Sequence, residues 1–98
     1  MSVVRHVLVR GRVQGVGYRA WVEEEALRLG LEGWVRNRCD GAVEAVFSGV
    51  DDVVAQMIEA CRRGPSPARV DAVDIIEGGA GLLDRRRAAE RFSVLATA

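Results

Sequence analysis

Gly33-Trp34-Val35-Arg36-Asn37-Arg38-Cys39-Asp40-Gly41-Ala42-Val43-Glu44 is the stretch that decides how this chain folds. A short apolar run starting at Trp34 meets Asp40-Gly41, a tight-turn dipeptide. Beyond it Val43, Ala45 and Phe47 alternate with Glu44, Val46 and Ser48 up to Ser48. The pattern predicts two antiparallel strands joined by a hairpin.

Upstream, Val3 to Val9 is rich in β-branched residues. Val7 and Val9 alternate with His6 and Leu8, which predicts a first strand ending near Gly11. From Tyr18 to Leu29 the residues Tyr18, Val22, Ala26 and Leu29 recur at helical spacing, opposite Glu23, Glu24, Glu25 and Arg28, with Gly30 as a C-terminal stop. Downstream, Ser48-Gly49-Val50-Asp51 has capping-box spacing. Val54, Met57, Ile58 and Cys61 then form the stripe of a second helix that stops before Gly64-Pro65. Val70 to Ile76 reads as a fourth strand, residues 77 to 91 as a loop, and Phe92 to Ala96 as a closing edge strand. The predicted order, βαββαβ, is that of an α+β ferredoxin-like sandwich: an antiparallel sheet with two helices on one face and a C-terminal edge strand.

The 98 residues suit a single domain spanning 1–98, and their 49% hydrophobic content suits an ordinary core. Acidic and basic residues balance at 14 each, so neither a nucleic-acid nor an anionic-membrane partner is expected. Every basic residue is an arginine, which excludes Schiff-base chemistry and the lysine-dependent nucleotide loop. With His6 the one histidine and no CxxC spacing around Cys39 and Cys61, no metal site and no cofactor are expected. Arg5, Arg10 and Arg12 interrupt any secretory apolar run, and no stretch approaches the roughly 18 residues of a membrane span, so a cytoplasmic setting is expected.

The chemistry concentrates in Gly11-Arg12-Val13-Gln14-Gly15-Val16-Gly17-Tyr18-Arg19, between the first strand and the first helix. Glycines let backbone N–H groups converge on a ligand, a helix start adds unpaired N–H groups and its positive dipole end, and arginine adds a bidentate permanent charge. Phosphate fits such a cradle best. Gly15-Val16-Gly17-Tyr18-Arg19-Ala20 also matches the dinucleotide pattern G-x-G-x-x-A. The hairpin beyond it, however, is not the parallel strand that fold requires. A plain strand-to-helix turn, with Arg19 a solvated helix residue, stays open on these grounds alone.

The nine residues Gly11 to Arg19 resemble the signature of the acylphosphatases. Gly33 to Gly41 followed by Val43-Glu44 is similar to that family's second block, and Gly64-Pro65 through Ala68-Arg69-Val70 resembles the turn before its fourth strand. The resemblance runs from His6 to Ile76. It implies metal-independent hydrolysis of acyl phosphates, which are carboxyl–phosphate mixed anhydrides, to a carboxylate and inorganic phosphate. Arg19 would grip the phosphoryl group within a loop formed by Gln14, Gly15, Val16, Gly17, Tyr18 and Arg19, and Asn37 would hold the attacking water. Asparagine can orient a water but cannot take its proton, so a substrate phosphate oxygen is the expected acceptor. The small-molecule substrate would be served by a monomer.

Tyr18 stands where the family more often has phenylalanine, and residues 77 to 91 match no motif of it. One rival reading is a noncatalytic phosphate or acyl-phosphate sensor on the same fold. Another is an RNA-recognition domain, but the first strand carries no aromatic residue to stack a base, and the third carries only Phe47. Trp21 and Trp34 are expected to pack. His6 is expected to be structural, Glu23-Glu24-Glu25 a solvated face, Arg36 and Arg38 turned away from Asn37, and Cys39 incidental.

Overall fold

The computed structural model describes residues 1–76 and 79–98. The first strand, β1, spans Ser2–Arg12 and helix α1 Tyr18–Arg28; the hairpin strands are β2 (Glu32–Asn37) and β3 (Val43–Val50). Helix α2 (Asp51–Arg63), β4 (Arg69–Ile76) and β5 (Phe92–Val94) complete the order. The sheet runs β4-β1-β3-β2-β5. Its first four strands pair antiparallel, as βαββαβ demands, whereas β5 pairs parallel with β2, so the sheet is mixed.

Strand alternation puts Val7, Val9, Val35, Val43, Ala45 and Phe47 on one face, against Tyr18, Val22 and Ala26 of α1 and Val54, Met57 and Cys61 of α2. Gly33 lies inside β2 with φ +147°, and a Cβ there would meet the backbone carbonyl of Val46, which only glycine avoids.

The expected capping box does not form. Ser48 and Gly49 stay in β3, because pairing with β1 continues to Ser2 and Val50. Val50 is the residue before the helix, and no side chain caps it. Asp51 and Asp52 in the first turn complement the helix dipole instead, and the N–H of Asp51 donates to the carbonyl of Met1 at 2.9 Å.

The expected loop begins at Glu77 and Gly78, which lie outside the described residues. Beyond them a 3₁₀ helix spans Ala80–Arg85. It lies against the sheet face away from α1 and α2, where the indole Nε1 of Trp34 donates to the carbonyl of Leu82 at 2.7 Å, and Trp34 is fully buried. Trp34 is thus a packing residue as expected, and Trp21 packs at 5.4 Å beside Tyr18.

The same outer face holds a charged cluster on Glu44, which is 4% exposed. Arg36, its direct cross-strand neighbour, donates from Nε to Oε1 at 2.7 Å, and Nε2 of His6 lies 2.7 Å from Oε2. The Arg36 guanidinium also rests 4.9 Å from the centre of the Trp34 ring. Burial pushes the Glu44 carboxyl upward in pKa, but Arg36 and His6 outweigh it and hold the group below the usual range. Glu44→Gln should therefore cost about 3 kcal/mol at pH 7 in urea unfolding, because Arg36 loses its counter-ion in a half-buried site. A depressed carboxylate contributes stability above its unfolded pKa, about 4.3, and loses it as pH falls through the folded value. The gap between variant and wild type should accordingly close on acidification below about pH 4. A gap unchanged down to the acid transition would exclude this role for Glu44.

Candidate active site

Two structural facts build the cradle. Gly17, in the left-handed region at φ 81°, turns the chain from β1 into α1 with no side chain capping the helix. No backbone N–H from residue 15 to residue 20 finds an acceptor among the described residues. The first bond into the helix runs from the Trp21 N–H to the Gly17 carbonyl, at 3.1 Å. These N–H groups and the positive end of α1 face a cleft of about 430 Å³.

Gly15, Gly17, Tyr18 and Arg19 line this cleft on one side and Asn37 on the other. The structure therefore brings the two principal sequence-predicted residues together, although 18 positions separate them in the chain. The half-buried Arg19 makes no hydrogen bond or ion pair with any described residue, so its five donors are uncommitted. Oδ1 of Asn37 is buried and accepts no hydrogen bond. A buried carbonyl oxygen without a donor is rare, and this one belongs to a residue that lines the cleft across from the cradle, which leaves an acceptor free for a water O–H.

The rest of the predicted loop divides by role. Only the main chain of Tyr18 belongs to the cradle. Its ring is buried, and its hydroxyl donates to the Cys61 carbonyl at 2.7 Å, which anchors the start of α1 on α2. Burial raises the Tyr18 pKa and pushes the Cys61 thiol up to about 12, so neither ionises near neutrality. Gln14 and Val16 are not among the cleft-lining residues: Val16 packs on the core, and the Gln14 amide bonds to the β2–β3 hairpin.

Asn37 is fixed through its backbone. It pairs with Val43 in β3, and its carbonyl accepts the N–H of Ala98 at 3.0 Å from the tail beyond β5. Arg36 and Arg38 point away from it, Arg36 to Glu44 and Arg38 to Asp40 at 3.3 Å. His6 lies on the outer face with Glu44, remote from the cleft lining.

Glu23 is the residue that sequence reading passed over. It lines the cleft one helical turn beyond Arg19 and has no partner among the described residues. Its offset of four from Arg19 was the available signal, obscured by membership in the run Glu23-Glu24-Glu25. Val13 and Val94 complete the apolar part of the wall.

A split βαββαβ sandwich with an amide-and-arginine cradle at one edge places the chain among small α+β proteins with a site suited to a phosphoryl-type anion. The family model for acylphosphatases matches residues 5–82. An acylphosphatase from Rhodopseudomonas palustris (strain BisB18) is 59% identical over 96 residues, covering 98% of this chain and 97% of the relative. The structure of an acylphosphatase from Coxiella burnetii superposes with TM-score 0.83 at 34% identity, covering 96% of this chain and 93% of that one. The crystal structure of acylphosphatase from Bacillus subtilis superposes with TM-score 0.80 at 34% identity, covering 97% and 99%. The chain belongs to the acylphosphatase family, enzymes that hydrolyse acid anhydrides of the acyl phosphate type. Among the described residues no helix is long and apolar enough to cross a membrane.

Proposed function

We propose that Arg19 and the N–H groups of residues 15–19 grip the phosphoryl group of a small acyl phosphate while Asn37 places the water that attacks it. The observation that carries this reading is the pairing, in one cleft, of an uncommitted arginine with a buried Asn37 Oδ1 that accepts nothing. The water oxygen bonds to phosphorus, the bond from phosphorus to the acyl oxygen breaks, and the water proton passes to a phosphoryl oxygen of the substrate. The arginine fork meets two oxygens at once and spreads charge over them as the loose transition state develops.

The leaving group is a carboxylate whose conjugate acid has a pKa of about 4, so it departs as an anion at pH 7 without a general acid. Electrostatics and positioning then supply most of the rate enhancement, and no metal takes part. A monomer is supported by the origin of both principal residues in one chain, and a cytoplasmic setting by Cys39 and Cys61 both being free thiols.

The test is release of phosphate from benzoyl or acetyl phosphate by protein treated with a chelator. Turnover undiminished by the chelator is expected; no turnover, or turnover that returns only on adding a divalent cation, would refute the metal-free mechanism.

A further inference from the structure

The side-chain amide of Gln14 donates from Nε2 to two carbonyls, those of Arg38 and Ala42, each at 2.8 Å. These two carbonyls close the β2–β3 turn: that of Ala42 also accepts the Arg38 N–H at 2.9 Å, and that of Arg38 the Gly41 N–H at 3.2 Å. Both amide hydrogens are therefore used on acceptors, so only the NH₂ side of the group can face this way. Arg38 is the residue after Asn37.

The backbone of Asn37 is held by β3 and Ala98, and Val13 and Val16 seat the loop on the core, so what remains to be set is the loop against the turn. Among the described residues these are the only side-chain hydrogen bonds joining residues 13–17 to residues 37–42, and no backbone hydrogen bond joins them. Gly15 and Gly17 offer no packing to fix the loop, since a Cβ on either would meet nothing within 4 Å. One wall of the cleft is therefore a glycine-rich loop and the other a turn, with a single carboxamide across the gap.

We propose that Gln14 is the positioning residue that sets Asn37, and with it the attacking water, against the phosphoryl cradle. The proposal rests on the roles given above to Arg19 and Asn37. Gln14 itself touches neither substrate nor water. A misplacement of about 1 Å between reacting groups costs on the order of 10²-fold in rate, which is the scale of effect that loosening this tie can produce.

The variant to make is Gln14→Met, which keeps length and removes the donor without adding charge. Its kcat for benzoyl phosphate should fall about 10- to 100-fold, while inhibition by free phosphate changes less than threefold. In an Asn37→Ala background the same substitution should have almost no further effect, because the group it positions is gone. A role confined to stability would lower activity equally in both backgrounds. Gln14→Glu gives a second readout should Gln14→Met not fold: ionised, it cannot donate to either carbonyl, and protonated, it can donate to one. Its kcat relative to wild type should rise as pH is lowered from 8 to 5. An unchanged kcat in Gln14→Met, equal losses in both backgrounds, or a flat relative pH profile for Gln14→Glu would overturn the proposal. Failure of the wild-type protein to turn over benzoyl phosphate would instead strike the mechanism on which it rests.

Discussion

Arg19→Ala lowers kcat/KM for benzoyl phosphate by at least about 10³-fold, equivalent to about 4 kcal/mol of transition-state stabilisation, and abolishes competitive inhibition by free phosphate. The expectation follows from how the side chain is held. Arg19 bonds to no described residue, and it shares the cleft with the N–H groups of α1's first turn, so its charge is free to meet a ligand there. For the same reason its removal should leave urea stability within about 0.5 kcal/mol of wild type, which separates a binding defect from a folding one. Arg19→Lys should recover only part of the activity, because a point charge cannot make the planar two-oxygen contact. A variant that lost activity but was inhibited by phosphate as strongly as wild type would show that Arg19 does not grip the phosphoryl group.

The elements carried by short-range signals were legible in the sequence. Tyr18, Val22 and Ala26 are buried as their helical spacing indicates, and the turn at Asp40-Gly41 closes the hairpin. The cradle was legible because its parts are local: three glycines, a helix start and Arg19 lie within nine residues. Asn37 entered only through the family resemblance, since nothing in its own neighbourhood separates a site asparagine from any strand-end asparagine.

What escaped depends on contacts distant in sequence. The direction of β5 is set by where the chain re-enters the sheet: β4 lies at one edge and β5 at the other, so the connection between them crosses the width of the sheet. The 3₁₀ helix at Ala80–Arg85 has three residues per turn over a short span, too little to show amphipathic periodicity, and its anchor is the Trp34 indole 48 residues upstream. Ser48 failed as a cap because pairing of β3 with β1 outcompeted a local side-chain bond. The tie from Gln14 to the hairpin, spanning 24 and 28 residues, has no sequence signature at all.

Asn37→Ala should separate binding from chemistry. Removal of one preorganised group at a reacting centre costs on the order of 10²–10³ in rate. The substitution should therefore reduce kcat by about that factor, while the inhibition constant of free phosphate moves less than about threefold, since the cradle N–H groups and Arg19 are untouched. The alanine also removes the buried Oδ1 that accepts no hydrogen bond, so the variant should be as stable as wild type or slightly more so. An enzyme that loses most of its rate while keeping its phosphate affinity and its stability has lost a group acting on the attacking water. Equal weakening of phosphate binding in Asn37→Ala and Arg19→Ala would mean instead that both residues hold the phosphoryl group, and the water would then need a different host among the groups lining the cleft, of which Glu23 is the nearest in chemistry.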